Sequence, residues 1–230
     1  GFIDSIREVL ERDGAYDIRS HIRLSQAHYE MAKQTPSIEN PLTHYRAVEK
    51  ILREALEISP FKQELTYGLG FALTGQGRYE EATALMEKSI ASNPYASRIS
   101  RIHYYYGLML SAAGRGEEAL RAFENIRRAN PQLTRFSEND IKGLFGVYES
   151  LGKYERIAEI VIGGARGLVQ AKIDLRYYEM TLLYYLDKED SENMIVVAEF
   201  IAEKFPERKD DMEAIIDLVE NQEWEILKSL

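Results

Sequence analysis

The chain has 230 residues, of which 45% are hydrophobic and 29% are charged, so it holds enough apolar material for a sizeable core. Its formal net charge of -9 argues against general nucleic-acid binding and against a polybasic membrane contact, because both require a basic surface that meets phosphates. The absence of cysteine excludes a disulfide framework and a thiolate metal site.

The N-terminal part of the chain has an irregular helical pattern. Apolar residues recur at helical spacing over 1–14 and predict a single packing helix. Residues 15–60 predict an irregular hairpin of two helices that ends at Pro60. The proline-containing stretch 35–43 predicts an insertion between these two helices that is longer than a usual turn.

The middle of the chain contains one pattern twice, over 63–96 and over 100–133. Each copy has a large-small pair, a further large residue, a glycine turn, a small residue, a second large residue and a closing proline. The first copy consists of Leu69, Gly70, Leu73, Gly77, Tyr79, Ala82, Met86 and Pro94, and the second of Tyr106, Gly107, Leu110, Gly114, Ala119, Phe123 and Pro131. Each copy has the length of one helical hairpin, so the pattern predicts an array of hairpins that bury their apolar sides against one another.

These residues resemble the tetratricopeptide repeat, which has the same large, small, glycine and proline positions. The resemblance implies an all-α fold, a right-handed α-α superhelix (solenoid) of about five hairpins with extra terminal helices. We expect further repeats over 138–171 and 175–208, although the latter lacks the glycine pair, and a capping or truncated repeat over 209–230. The prediction is a single solenoid domain over 1–230, excised from a longer protein.

A search for reactive groups favours a chain without catalysis. The four histidines form no metal-binding pair, and the spacing of His21 and His28 predicts a half-exposed helix face rather than a metal site. Gly68 and Gly70 lie inside a helical pattern with no strand before it, which argues against a nucleotide loop. Gly70 is expected instead to let a neighbouring helix approach closely. We therefore predict no cofactor, no metal and no enzymatic activity.

The first helices of such repeats line the concave side of the superhelix, so the resemblance implies a partner-binding groove there. The chain has 15 tyrosines, and consecutive helical residues point about 100° apart, so at least one of Tyr104 to Tyr106 must face the groove or solvent. The predicted groove residues are Tyr29, Tyr67, Phe71, Arg101, Tyr104, Leu108, Lys142 and Arg176. They form an aromatic centre and a basic strip.

The predicted function is a protein-protein interaction scaffold that binds a peptide or protein partner in this groove, with no nucleic acid and no direct membrane contact by this segment. Members of the family that clamp the carboxyl terminus of chaperones use a lysine and an asparagine at successive first-helix positions. Only Lys142 is of the matching type, so the resemblance predicts no such clamp.

Several alternatives stay open at this point. One is an accessory domain of a larger bacterial enzyme or of a membrane-bound assembly of the cell envelope or its glycans, which leaves the compartment cytoplasmic or extracytoplasmic. A hydrolase with a small pocket is disfavoured because the sequence shows no converging carboxylates or histidines. The convex face or the insertion 35–43 is an alternative binding site. The apolar C-terminal end near Trp224 is a candidate surface for a homo-oligomer.

Overall fold

A computed structural model describes residues 21–22, 25–26, 28, 41–92, 95, 100–134 and 136–229 of the chain. From Pro41 onward these residues contain eleven α-helices, residues 21, 22, 25, 26 and 28 are helical as well, and none of the described residues forms a β-strand, which confirms the predicted all-α class. The predicted packing helix over 1–14 and residues 35–40 of the predicted insertion lie outside the described residues.

The chain divides into two compact units, Gly1–Ala129 and Asn130–Leu230, where the sequence predicted one domain over 1–230. The helices of the first unit are α1 (Pro41–Ile58), α2 (Gln63–Gly75), α3 (Tyr79–Ser92), α4 (Ser100–Ala112) and α5 (Gly116–Ala129). The helices of the second unit are α6 (Glu138–Ser150), α7 (Tyr154–Ala165), α8 (Leu175–Asp187), α9 (Ser191–Lys204), α10 (Lys209–Glu220) and α11 (Trp224–Leu227). A short 3₁₀ turn, Pro206–Arg208, joins α9 to α10.

The insertion predicted over 35–43 is partly wrong, because helix α1 already begins at Pro41. Proline suits the first position of a helix, since its fixed φ angle is helical and the amide hydrogen that it lacks would have no partner in the helix. Residues 41–43 therefore form the first turn of α1.

Glycines at the helix contacts of the first unit make close packing possible. A Cβ atom at Gly70 would overlap the side chain of Met109, and one at Gly107 would overlap the ring of Phe123. This confirms that Gly70 serves close packing between helices. Met109 and Phe123 are themselves buried, so neither has free space into which it can move.

One turn geometry recurs between the two helices of every hairpin from α2 to α11. Each turn has one residue in the left-handed conformation, and these are Gly77, Gly114, Gly152, Glu189 and Gln222, with φ between 53° and 74°. The amide of the next residue donates to the carbonyl five positions before it, in the pairs Arg78–Leu73, Arg115–Leu110, Lys153–Tyr148, Asp190–Tyr185 and Glu223–Leu218. This is the Schellman way of ending a helix.

The repeated turn shows a periodicity that the sequence conceals in the second unit. Glutamate and glutamine occupy the left-handed position at Glu189 and Gln222, where the first three turns have glycine. Trp224 follows Gln222 by two residues, as Tyr79 follows Gly77. Residues 209–227 therefore form a hairpin of the same type, with a second helix of only four residues.

Candidate protein-binding surface

Four aromatic side chains form a cluster between the first helices α2 and α4 of the first unit. We call Tyr67, Phe71, Tyr104 and Tyr105 the aromatic cluster. The Tyr105 ring is at its centre, with its centroid 4.7 Å from that of Tyr67, 5.3 Å from that of Phe71 and 5.3 Å from that of Tyr104. The tilted and edge-on arrangements are those that aromatic quadrupoles favour.

The exposure of the aromatic cluster differs from the prediction. Tyr104 was expected to face the groove, but only 4% of it is exposed, and Tyr67 is only 8% exposed. Tyr105, which was absent from the predicted set, is half-buried. A shift of one residue rotates a helical side chain by about 100°, so an error of one position exchanges the buried tyrosine for the accessible one.

A cleft of about 350 Å³ lies beside the aromatic cluster and is lined by Gln63, Glu64, Tyr67, Arg101 and Tyr105. The Tyr67 hydroxyl donates a hydrogen bond to Gln63 Oε1 at 2.9 Å. Burial raises the pKa of Tyr67 well above its ordinary value, and the charge of Glu64 adds to this effect while that of Arg101 opposes it. Tyr67 therefore remains a protonated donor at neutral pH, and the cleft combines aromatic surface with an amide and both signs of charge.

The repeated turn places one residue of each first helix six positions before the left-handed residue. These residues are Phe71, Leu108, Gly146, Leu183 and Ile216. Phe71 and Leu108, both predicted groove residues, are half-buried. Tyr29, the predicted contribution of the N-terminal hairpin, lies outside the described residues.

The predicted basic residues of the second unit are matched by carboxylates. Lys142 Nζ lies 3.0 Å from Glu138 Oε1 and 3.1 Å from Asp174 Oδ2. Arg176 Nη2 lies 2.6 Å from Glu149 Oε1. The expectation of a basic strip is therefore wrong for Lys142 and Arg176, because the first helices of this unit supply acids that neutralise them.

The pKa values agree with this neutralisation. The backbone amide of Arg176 and the ammonium group of Lys142 hold the pKa of Asp174 below its ordinary value. Hydrogen bonds from Lys172 and Lys142 lower that of Glu138. Both carboxylates are therefore charged at neutral pH, and the ion pairs are satisfied before any partner arrives.

The first-helix face of the second unit is open beside these ion pairs. A Cβ atom added at Gly146 on α6 would meet nothing within 4 Å. On α8, Leu183 is 67% exposed at the corresponding position of its repeat. The repeat pattern maps Leu183 to a groove-facing position, the one that Phe71 has in the first unit.

The histidines are buried rather than half-exposed, which corrects the expectation for His21 and His28. His44 and His103 are buried as well. The Nδ1 atoms of His28 and His44 lie 3.1 Å apart, a hydrogen-bond distance, so these two nitrogens satisfy each other. Among the described residues, no group of three or more histidines, aspartates or glutamates is arranged to hold a metal ion.

In the described part of the chain, no helix combines the length and the apolar character that crossing a bilayer requires.

Comparison with known proteins gives one family. Residues 63–88 and 100–125 match the family model of the tetratricopeptide repeat, and these segments coincide with the hairpins α2–α3 and α4–α5. No curated protein matches the chain. The two matched hairpins are therefore tetratricopeptide repeats.

Proposed function

We propose that this chain is a non-catalytic interaction scaffold that binds a peptide segment of a protein partner on the faces of its first helices. Tetratricopeptide repeats generally mediate protein-protein interactions, which gives the class of partner. The first helices combine apolar side chains with charges of both signs, and an amphipathic peptide can match such a surface.

The observation that carries the proposal is the exposure of Leu183 on α8. A leucine that is 67% exposed contributes to binding when a partner covers it, by about 1–2 kcal/mol for the apolar area removed from water. Lys142 and Arg176 already pair with carboxylates of this unit, so a partner that covers them does not have to supply a counter-charge. Leu183 is thus the apolar anchor of this face.

The cleft beside the aromatic cluster supports a second contact in the first unit. Its volume of about 350 Å³ is at the lower end of ligand pockets, a size that suits one large side chain. Gln63 offers an amide donor beside the Tyr67 and Tyr105 rings. These groups fit a peptide residue whose ring lies on the tyrosines while its backbone carbonyl accepts a hydrogen bond.

The test is selection of displayed random 16-residue peptides on the full chain, followed by affinity measurement on variants. Leu183→Ser should weaken the selected peptides by about tenfold, the equivalent of about 1.4 kcal/mol. Leu168→Ser is the matched control, because Leu168 is 64% exposed but lies in the loop between α7 and α8. Equal losses in both variants, or none in either, would remove Leu183 from the binding surface.

Two charge-reversal variants test the cleft of the first unit in the same way. Glu64→Lys changes the rim of the cleft, whereas Glu117→Lys makes the same change on an exposed residue of α5. Peptides that bind at the cleft should respond to the first variant and not to the second. If no selected peptide responds to either Glu64→Lys or Leu183→Ser, the first-helix faces are not the binding surface.

A further inference from the structure

The last hairpin, α10–α11, differs from the others because its second helix is a single turn. Trp224 is half-buried at the start of α11, and Ile226, two residues later, is 49% exposed. Two exposed acidic residues precede them, Glu220 at the end of α10 and Glu223 in the turn. We call Trp224, Ile226, Glu220 and Glu223 the C-terminal face.

The hairpins of the first unit are joined at the corresponding place by an arginine. Arg78 follows the left-handed residue of its turn and binds Glu81 of its own hairpin and Glu49 of α1, the latter at 2.7 Å. Arg115 repeats this arrangement, with Glu118 at 2.7 Å and Glu87 of α3 at 3.2 Å. In both hairpins one guanidinium group links carboxylates on two neighbouring hairpins.

The C-terminal face reverses this arrangement. Glu223 occupies the position of Arg78 and Arg115, immediately after the left-handed residue Gln222. Ile226 occupies the position of the acidic partners Glu81 and Glu118. The cation of the two first-unit hairpins is thus replaced by a carboxylate, and the carboxylate by an exposed apolar side chain.

The surrounding segment has a large excess of acidic residues. Residues 187–225 contain 14 acidic and four basic side chains. Lys204, Arg208 and Lys209 form ion pairs with Glu203, Glu179 and Glu213, and Lys188 lies over the Tyr184 ring. Within the described part of the chain, Asp217, Glu220 and Glu223 take part in no ion pair.

We propose that the C-terminal face binds a basic amphipathic segment of a protein partner. Its apolar side chains would cover Trp224 and Ile226, and its lysines or arginines would pair with Glu220 and Glu223. Charge complementarity selects this occupant, because the face combines exposed apolar surface with unpaired carboxylates. The C-terminal face contains neither Leu183 nor a residue of the cleft in the first unit, so the proposal stands whether or not those sites bind a peptide.

A second copy of the chain fits this face poorly. A two-fold dimer brings the same patch of each copy together, so Glu220 and Glu223 would meet their own counterparts. Like charges across an interface disfavour association. The homo-oligomer that the sequence suggested near Trp224 is therefore a competing outcome, which the experiment below detects.

Trp224 is the single tryptophan of the chain, so its fluorescence reports directly on this face. The probe is an 18-residue peptide of leucine and lysine at helical spacing, without tryptophan, added to the full chain. We expect a saturable blue shift of the Trp224 emission, and weaker binding as salt is raised. A peptide with glutamate in place of lysine, and one with serine in place of leucine, should each bind at least about tenfold more weakly, a loss of about 1.4 kcal/mol.

Two variants with the same charge change locate the binding. Glu220→Lys/Glu223→Lys should weaken the leucine-lysine peptide by at least about tenfold, measured by anisotropy of a labelled peptide. Glu207→Lys/Asp210→Lys changes two exposed carboxylates at the other end of α10 and should leave the affinity within about twofold. Ile226→Ser should also weaken binding, whereas Leu168→Ser should not.

Three results would overturn the proposal. Equal weakening by the two charge-reversal variants would mean that the peptide responds only to net charge. Unchanged affinity in Glu220→Lys/Glu223→Lys and Ile226→Ser would place the peptide elsewhere. A dimer of the chain alone in sedimentation, lost in Ile226→Ser, would make a second copy the occupant. Circular dichroism of each variant checks that these surface changes leave the helices intact.

Discussion

The two units share one hairpin geometry but present different surfaces. Residues 1–129 contain 17 basic and 17 acidic side chains, whereas residues 130–230 contain 12 and 21, so the second unit carries the whole net charge of -9. The first helices of the first unit pack a cluster of four aromatic rings. The first helices of the second unit instead carry ion pairs and the exposed Leu183, and the space around Gly146 is open.

This contrast shows that the surface of a hairpin can change while its backbone geometry stays the same. The same Schellman turn ends α2 in the first unit and α8 in the second, although the left-handed residue is Gly77 in one and Glu189 in the other. The turn depends on main-chain hydrogen bonds, which any residue can make. The surface is free to change, so binding properties follow from individual side chains.

The largest expected effect tests the difference in packing. Gly107→Ala should lower the free energy of unfolding by about 1–3 kcal/mol, because its Cβ would overlap the buried Phe123 ring. Gly146→Ala should raise it by about 0.5–1 kcal/mol, because alanine favours a helix and the site is open. Urea unfolding followed by far-ultraviolet circular dichroism measures both, and changes of the same sign would contradict the contrast.

The next effect concerns the turns. Gly77→Ala places a side chain at φ 74° and should cost about 1–2 kcal/mol of unfolding free energy. Gln222→Gly makes the opposite change at φ 58° and should stabilise the second unit by up to about 1 kcal/mol. Urea unfolding monitored through Trp224 fluorescence is the measurement for the second variant. An unchanged free energy of unfolding in Gly77→Ala would show that the turn of the first unit does not depend on glycine.

The smallest effect concerns the carboxylates and appears on acidification. Burial acts to raise the pKa of Glu49, but hydrogen bonds from Gln76, Arg53 and Arg78 outweigh it and the pKa is lowered. Its contribution is therefore complete above the ordinary pKa of a glutamate, about 4.5, and is lost as the pH falls through the lower value in the folded protein. Glu49→Gln should cost up to about 1 kcal/mol at pH 7 and flatten the loss of stability as the pH falls below about 4.5.

Glu138 of the second unit, whose side chain is more accessible than that of Glu49, is the comparison for this prediction. Its pKa is also lowered, by hydrogen bonds from Lys172 and Lys142, but the pairs are solvated. Glu138→Gln should therefore change stability less than Glu49→Gln at every pH, as measured by urea unfolding from pH 3 to pH 7. An equal or larger effect would mean that the surface pairs stabilise the second unit as strongly as the partly buried network stabilises the first.

Much of the fold could be predicted from local spacing. Leu69, Gly70 and Leu73 recur as Tyr106, Gly107 and Leu110, and this spacing corresponds to the two matched repeats. Gly70 was correctly predicted to be a packing residue because a small residue among large ones on a helix face indicates close approach. Such patterns are visible in a sequence because helical neighbours lie three and four residues apart.

The surface was harder to predict because it depends on contacts between hairpins. Tyr104 and Tyr105 are adjacent in the sequence, and only the packing of α4 on α2 decides that Tyr105 borders the cleft. Arg176 was expected to be part of a basic strip, but its partner Glu149 lies 27 residues away on another helix. His28 and His44 are paired across 16 residues, a separation that the three- and four-residue spacing of a helix cannot predict.

The sequence by itself determined that the chain folds into helical hairpins, where the glycine turns lie and which small residues pack, because these features follow from spacing within one or two helical turns. Tertiary structure alone decided which tyrosine is accessible, which cations are neutralised, and that Glu189 and Gln222 adopt the conformation that glycine has elsewhere. The physical reason is that burial and ion pairing depend on neighbours contributed by other helices, whereas a turn held by main-chain hydrogen bonds leaves no side-chain pattern where glycine is absent.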